Sequence, residues 1–373
     1  MNGLYIHIPF CRQKCIYCAF YSTVALSKKK DFLDALECEI EQTLHYLPSR
    51  QLDTIYFGGG TPTLLKINEL ESIINKIRRH YLLSSDFEFT IEANPEQIER
   101  NYLKDLISLG INRISFGVQS FNNETLRFLG RKHSAEEAIS VVFEAKKAGF
   151  DNISIDLIYG ITQRKKGEWE EDLRQAIDLP ISHLSCYALT KEENTILWKQ
   201  IQQNKLPEID EDLAKDEFYQ LLRLTREGGF EQYEISNFAR NGQISRHNYS
   251  YWTQQPYLGL GPSAHSFNGH SRKWNAGHLQ HYIEYVEKGC SDFESEELSL
   301  DDHYNEYVML GLRTRNGINL ENIEQQFGLS FRQYAEKELR QINTSYYTQT
   351  ESSILLTDEG KLFADGIAET LFR

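Results

Sequence analysis

The chain has 373 residues, 40% of them hydrophobic and 25% charged, and this length supports one large core with a smaller appended domain. Its formal net charge of -14 argues against nucleic acid and anionic lipid surfaces as partners, because those contacts depend on clustered Lys and Arg. The sequence has neither a run of about 18 apolar residues nor the features of a secretory signal, so we predict a cytoplasmic protein without a membrane span.

Short β-rich runs alternate with helical stretches over the first half of the chain. The runs are nearly continuous in apolar residues, as in parallel strands covered on both faces. Helical spacing of apolar residues indicates scaffold helices at 32–44, 70–77 and 103–107. We therefore predict an α/β fold built on a partial (β/α)6 barrel, with strands near 4–8, 54–57, 88–92, 113–118, 152–157 and 183–189.

The second half of the chain is less regular. A helix is predicted at 212–227, and the aromatic, Gly-rich stretch 233–274 has the character of a functional loop region. From about residue 300, helical stretches precede a β run at 354–357 and a closing helix, which resembles a winged helix. Residues 300–373 contain 12 acidic and 7 basic residues, so we expect a packing or lid domain without DNA binding. The predicted divisions are a barrel over 1–230, a connecting region over 231–298 and a mainly helical C-terminal domain over 299–373.

Three of the six cysteines lie within eight residues, directly after the first predicted strand. Cys11, Cys15 and Cys18 would ligate three irons of a 4Fe-4S cluster and leave the fourth iron open to a small chelating molecule. Structural zinc with a ligand such as His7 is the alternative, but no second pair of ligands follows at finger spacing. The dispersed Cys38, Cys186 and Cys290 are expected to be ordinary thiols.

Glycines and polar residues follow the next predicted strands. The Gly58-Gly59-Gly60-Thr61-Pro62 segment would let the backbone approach a ligand closely, but it lacks the Gly-Lys-Ser/Thr of a phosphate-binding loop. Glu92 and Gln119 close two strands, and Asp156 lies within a third. Their recurrence at successive strands predicts a ring of polar ligands at the barrel mouth.

The segment YIHIPFCRQKCIYC, from Tyr5 to Cys18, resembles the cluster loop of radical SAM enzymes. Over nearly its whole length, the chain most resembles the branch of oxygen-independent coproporphyrinogen III oxidases and their HemW-type heme chaperone relatives. The resemblance implies that S-adenosylmethionine chelates the open iron, and that cluster reduction cleaves its sulfonium to a 5′-deoxyadenosyl radical. It further implies methionyl contacts from Gly59, Gly60 and Thr61, polar contacts from Glu92, Gln119 and Asp156, a carboxylate partner in Arg131, lining by Tyr5 and Tyr17, and a weaker adenine contact from Ala188.

Two departures separate this chain from the oxidases of that branch. The oxidases carry a further cysteine two positions after the third cluster cysteine, where this chain has Phe20. They also extend on the N-terminal side of the cluster strand, whereas Tyr5 is the fifth residue here. The chaperone branch instead carries CxxxCxxCxF and HNxxYW, and both motifs are present, the second at residues 247–252.

The HNxxYW motif suits a flat amphipathic ligand. His247 can offer a neutral imidazole to heme iron, while the aromatic rings offer apolar faces and polar edges to a porphyrin. Without the resemblance, one His beside aromatics is more often a core residue. Only two methionines exist, and the spacing of His265, His270 and His281 selects none as a second ligand. The predicted heme residues are His247, Asn248, Tyr249, Tyr251 and Trp252.

The resemblance implies a heme chaperone that hands heme to acceptor hemoproteins, with the cluster and S-adenosylmethionine as structural or regulatory cofactors. It also hints at a homodimer. The alternatives are radical decarboxylation of coproporphyrinogen III, which Phe20 argues against, and a purely structural metal-binding module.

Overall fold

The computed structural model describes residues 1–96, 98–289 and 294–373, so Cys290 lies outside the described residues. Its large sheet orders the strands as β12-β11-β10-β9-β1-β2-β3-β4-β5-β6-β8-β7. These strands are β1 (Gly3–Ile8), β2 (Gln51–Gly59), β3 (Leu82–Ala93), β4 (Arg113–Gln119), β5 (Asn152–Tyr159), β6 (His183–Ala188), β7 (Glu231–Glu234), β8 (Asn237–Ala239), β9 (Tyr257–Leu260), β10 (His265–Phe267), β11 (Ser271–Trp274) and β12 (Glu294–Glu297).

Helices of the barrel follow most of its strands and cover the outer face of the large sheet, and further helices belong to the C-terminal domain. They are α1 (Lys29–Gln42), α2 (Ile67–His80), α3 (Arg100–Ser108), α4 (Asn123–Leu129), α5 (Ala135–Ala148), α6 (Glu168–Asp178), α7 (Ile196–Gln202), α8 (Glu211–Glu227), α9 (Arg246–Trp252), α10 (Leu279–Glu287), α11 (Leu300–Leu312), α12 (Leu320–Phe327), α13 (Leu329–Glu338) and α14 (Ala364–Thr370).

Strands β1 to β6 pair in parallel and in chain order, which confirms the predicted partial barrel. Helix α2 packs on the sheet through one apolar face. Its Leu70, Ile73 and Ile77 are buried in the same core as Ile55 and Ile91 of the sheet. The carboxyl ends of all six strands therefore meet at one end of the barrel, which we call the mouth.

The strands are buried on both faces, as predicted, but the inner face of the barrel is polar. Because strand residues two apart share a face, β3 directs Phe89 and Ile91 to the helices and Thr90 to the interior. Arg113 and His183 are likewise buried inside the barrel rather than in the apolar layer. This polar interior is what a polar ligand needs.

The stretch 233–274 proves to be largely structured. Its strand β9 adds in parallel beside β1, with Gly3 opposite Tyr257, and β10 and β11 continue the sheet as antiparallel strands. Between β8 and β9 lies helix α9, which carries the HNxxYW motif and is capped by the Ser245 hydroxyl accepting from the Asn248 amide. The motif is therefore held on a short helix.

The C-terminal domain has its own core, formed by residues such as Tyr304, Ile323 and Leu371. Its helices α11 to α14 surround a small sheet of β13 (Ile318–Asn319), β15 (Ser353–Leu356) and β14 (Tyr347–Gln349), consistent with the winged-helix-like layout.

This domain packs against the barrel through the β7–β8 edge of the large sheet and through α9. The Ile235 amide donates to the Arg313 carbonyl, and the Arg313 guanidinium lies over the Trp252 ring of α9 at 5.3 Å. These contacts are consistent with a packing role. Across the part of the chain that the structure describes, we find no helix with the length and apolarity needed to cross a bilayer.

Candidate S-adenosylmethionine and iron-sulfur site

The cysteine loop lies at the mouth, immediately after β1, as predicted. It is tied to neighbouring elements by backbone bonds from the Cys11 amide to the Thr23 carbonyl and from the Ile16 amide to the Leu129 carbonyl. Thr61 Oγ1 contacts Cys11 Sγ at 3.8 Å, and Arg131 Nη1 contacts Cys15 Sγ at 3.5 Å. All three cysteines are free thiols of intermediate exposure, within reach of an incoming cluster.

The spread of the thiols bears on which metal they could hold. Within residues 1–96, 98–289 and 294–373, no three His, Cys, Asp or Glu side chains gather closely enough to hold a metal ion. A tetrahedral zinc site needs such a group around one ion. A cubane does not, because each thiolate ligates a different iron.

The glycine segment forms a close-fitting wall beside the cysteine loop. Gly59 has φ 104°, and a Cβ there would lie 2.6 Å from the His7 ring. A Cβ on Gly60 would lie 2.6 Å from the Phe10 carbonyl oxygen. Only glycine therefore lets this backbone pass so close to β1.

Two carboxylates face the barrel interior and accept hydrogen bonds from neutral donors. Glu92 accepts from the Tyr56 hydroxyl at 2.7 Å and from the Gly59 amide at 3.1 Å, while Asp156 accepts from the Ser115 hydroxyl at 3.2 Å. Burial, together with the nearby Asp156 carboxylate, raises the pKa of Glu92 to about 7. Burial also raises the pKa of Asp156. A ligand that carries positive charge, as S-adenosylmethionine does, fits this pair.

Arg131 binds the cysteine loop more directly than the resemblance implies. Its Nη2 donates to Asn94 Oδ1 at 2.7 Å and to the Gly117 carbonyl at 2.6 Å, while Nη1 contacts Cys15. The Nε atom is buried without a hydrogen-bond partner among the described residues. That orphaned donor fits a ligand carboxylate.

The structure also places the remaining predicted contacts. Gln119 adopts φ 70° at the end of β4, beside a register shift between β4 and β5, a strained conformation typical of ligand sites. Tyr5 lies inside the barrel, with its hydroxyl 3.1 Å from His7 Nδ1. Tyr17 lies in the cysteine loop, where burial raises its pKa. Ala188 is the last residue of β6.

The HNxxYW motif lies at the opposite end of the barrel. Thr54 Oγ1 is 2.8 Å from His247 Nδ1, and the Tyr251 hydroxyl is 2.7 Å from Nε2. The ring is fully buried, and burial lowers the pKa of His247 to about 3. Strand β1, which spans six residues or roughly 17 Å, separates this end from the mouth. Ligation of heme iron by His247 stays a prediction, and it requires the Tyr251 contact to open.

We expect His247→Ala to lower the free energy of unfolding by about 2–4 kcal/mol, because it leaves the buried Thr54 and Tyr251 hydroxyls without a partner and creates a cavity. Tyr251→Phe removes only one contact and should cost about 1 kcal/mol. Urea unfolding of the metal-free proteins measures both effects. Equal stability of wild type and His247→Ala would contradict this role.

Two residues of the site have no motif that points to them. Tyr56 and Ser115 lie on the inner face of their strands and hold Glu92 and Asp156 in place, as His7 of the cysteine-loop motif holds Tyr5. The sequence signal that could have identified them is the alternation of polar and apolar residues along each strand. Each lies two residues from another polar position on the same strand, so the two share a face.

A partial barrel with a polar interior and three cysteines at its mouth defines a radical SAM protein. Residues 5–176 match the family model described as Radical SAM superfamily, and residues 298–363 match the HemN C-terminal domain. The family implies a 4Fe-4S cluster and S-adenosylmethionine, and the residues present fit both.

Individual relatives show to which family within this superfamily the chain belongs. The chain is 34% identical to "Heme chaperone HemW" of Bacillus subtilis over 98% of both chains. It is 33% identical to "Heme chaperone HemW" of Mycobacterium tuberculosis, covering 99% of this chain and 94% of the relative. The chain therefore belongs to the HemW family. Among solved structures, coproporphyrinogen III oxidase (HemN) of Escherichia coli matches with a TM-score of 0.87 and 25% identity, over 100% of this chain and 90% of that one.

Proposed function

We propose that this protein is a cytoplasmic heme chaperone, which binds heme and transfers it to acceptor hemoproteins. The observation that carries the proposal is the 34% identity, over 98% of both chains, with a relative named a heme chaperone. This coverage matters, because the match includes both the barrel and the C-terminal domain. We further propose that the chaperone acts as a homodimer.

In this proposal the barrel mouth holds the two resident cofactors. Cys11, Cys15 and Cys18 would hold the cluster, while Glu92 and Arg131 would orient the charged groups of S-adenosylmethionine. When bound, these cofactors supply reductive cleavage of a sulfonium carbon–sulfur bond. The chain's own residues position these cofactors. Arg131 contacts both Cys15 and Asn94, and so connects the cysteine loop to the segment that follows β3.

Oxidation of coproporphyrinogen III is the second candidate, favoured by the likeness to the Escherichia coli oxidase. Phe20 argues against it, because it occupies the position of the further cysteine in that enzyme branch. Phe20 is also 71% exposed, so it is not a buried packing substitute for that cysteine.

The predicted heme residues at the motif end are engaged within the protein. The Tyr249 hydroxyl accepts from Asn316 Nδ2 at 2.7 Å, and Trp252 is covered by Arg313. Heme bound through His247, Asn248, Tyr249, Tyr251 and Trp252 would therefore have to separate α9 from the C-terminal domain. This assignment remains a proposal.

An anaerobic heme titration of the cluster-reconstituted protein, followed by visible spectroscopy, tests the proposed function. We expect saturable binding near one heme per chain, transfer to an apo-hemoprotein and no protoporphyrinogen from coproporphyrinogen III. Product formation would restore the oxidase, and absence of saturable heme binding would refute the chaperone. Iron with acid-labile sulfide in the reconstituted protein excludes the purely structural zinc module.

A further inference from the structure

Two exposed histidines meet beside the cysteine loop, away from the HNxxYW motif. His278 caps the N-terminus of α10, and His281 lies one turn further along the same helix. Their ring centroids are 5.2 Å apart, and both side chains are exposed.

The ring nitrogens differ in their availability. His278 Nδ1 accepts from the Gln280 amide at 3.3 Å, so in the neutral ring its Nε2 carries the proton. Within the described ranges, neither nitrogen of His281 has a hydrogen-bond partner. His281 can therefore offer a lone pair to a metal, while His278 offers an N–H donor beside it.

Apolar side chains lie next to this pair. The Tyr21 ring is 6.4 Å from that of His278, and the Tyr21 hydroxyl accepts from the Leu279 amide at 2.6 Å. The loop that contains Tyr21 exposes Phe20 by 71% and Val24 by 61%. Large apolar side chains this exposed in one short loop indicate a binding surface.

The charge of this loop region is opposite to that of the whole protein. The first 30 residues contain five Lys or Arg and no acidic residue, although the chain carries a net charge of -14. Lys28, Lys29 and Lys30 pair with carboxylates, and Lys14 is exposed in the cysteine loop. A ligand with carboxylates is therefore favoured here over the rest of the surface.

We propose that heme docks on this surface, with His281 ligating the iron, Phe20 packing on the porphyrin face and His278 donating to a carboxylate edge. This inference rests on the proposed function and deepens it by placing heme at the barrel mouth. Heme combines a metal that imidazole ligates, an apolar plane and acidic substituents, which are the three features that this surface complements. The surface is open, as loading and release of a transported ligand require.

The other histidines near the sheet edge fit less well. His265 is exposed but stacks on Trp274 with ring centroids 6.0 Å apart. His247 is buried with both nitrogens engaged. His281 is exposed, its nitrogens have no hydrogen-bond partner among the described residues, and its ring neighbour His278 lies beside Tyr21.

The test is a ferric heme titration of the full-length, cluster-reconstituted protein, its His281→Ala variant and its Phe20→Ser variant. We expect His281→Ala to weaken binding at least tenfold and to change the visible spectrum, and free imidazole to restore that spectrum. Phe20→Ser should weaken binding with an unchanged spectrum, because it leaves the iron ligand in place. The matched control is His45→Ala, which removes an exposed histidine at the end of α1.

The outcomes separate this inference from the proposed function. If wild type binds no heme saturably, the proposed function fails and this site fails with it. If wild type and His281→Ala bind heme with the same affinity and spectrum, the chaperone proposal stands and this site is refuted. An equal loss in His281→Ala and His45→Ala would refute it as well, because binding would then be unselective among surface histidines.

Discussion

Protein in which Cys15 is replaced by serine should retain less than about a tenth of the wild-type iron and acid-labile sulfide after anaerobic reconstitution, because a hydroxyl cannot replace the thiolate. The same loss is expected for Cys11→Ser and Cys18→Ser. Iron and sulfide analysis with visible absorption measures it. S-adenosylmethionine binding should fall together with the cluster, since the open iron disappears.

Cys38→Ser is the matched control for these three variants. Cys38 is an exposed free thiol on α1, away from the loop, so its replacement should leave iron and sulfide unchanged. Retention of a full cluster after loss of any one loop cysteine would contradict the assignment of that residue.

Glu92→Gln should weaken S-adenosylmethionine binding by at least about 30-fold at pH 8, equivalent to about 2 kcal/mol, because a charged partner of the ligand is removed. Isothermal titration of the cluster-loaded protein measures the affinity. Glu71→Gln, on the exposed side of α2, is the matched control and should bind normally. Unchanged affinity in Glu92→Gln would remove this carboxylate from the site.

The raised pKa of Glu92 gives this prediction a pH signature. Wild-type affinity should fall as the pH drops below about 7, since the carboxyl then takes up a proton, and this dependence should be weaker in Glu92→Gln. Folding stability should respond in the opposite direction. The folded protein holds this proton more tightly than the unfolded chain, so the stabilisation is present below the ordinary pKa and is lost as the pH rises through about 7.

Without S-adenosylmethionine, the free energy of unfolding of wild type should therefore fall relative to that of Glu92→Gln as the pH is raised from 5 to 8. The expected change in this difference is on the order of 1–2 kcal/mol. Urea unfolding at the two pH values measures this difference. A variant that binds S-adenosylmethionine poorly while folding more stably at pH 8 would separate ligand binding from structural support.

The barrel and the cysteine loop could be predicted from the sequence because their signals are local. Apolar runs separated by helical stretches place β1 to β6 within three residues of their observed bounds, except that β3 begins six residues earlier than predicted, and the spacing of the cysteines is read directly. The positions of Glu92 and Gln119 near strand ends could be predicted because the end of a parallel strand has a known place in the fold, while their contact with the ligand stays a prediction.

The remaining features depend on contacts between distant parts of the chain. Nothing near residue 257 indicates that β9 pairs with β1, because its short apolar run has no helical crossover of its own. The HNxxYW residues were predicted to bind heme from their side-chain chemistry. Their location depends on Glu88, which accepts hydrogen bonds from the amides of Arg246 and His247. The proximity of His278 to Tyr21 is equally invisible in the sequence, since 257 residues separate them.

The docking of α9 also sets an order for folding. Its anchors, Thr54 and Glu88, precede His247 by 193 and 159 residues, so the helix can take its place only after the first three strands have paired. During synthesis, the cysteine loop and Arg131 leave the ribosome long before residue 252. The metal-binding end of the barrel can therefore assemble on the nascent chain while its opposite end is still open. Pulse-labelling hydrogen exchange at the Arg246 and His247 amides during refolding would report when the barrel closes.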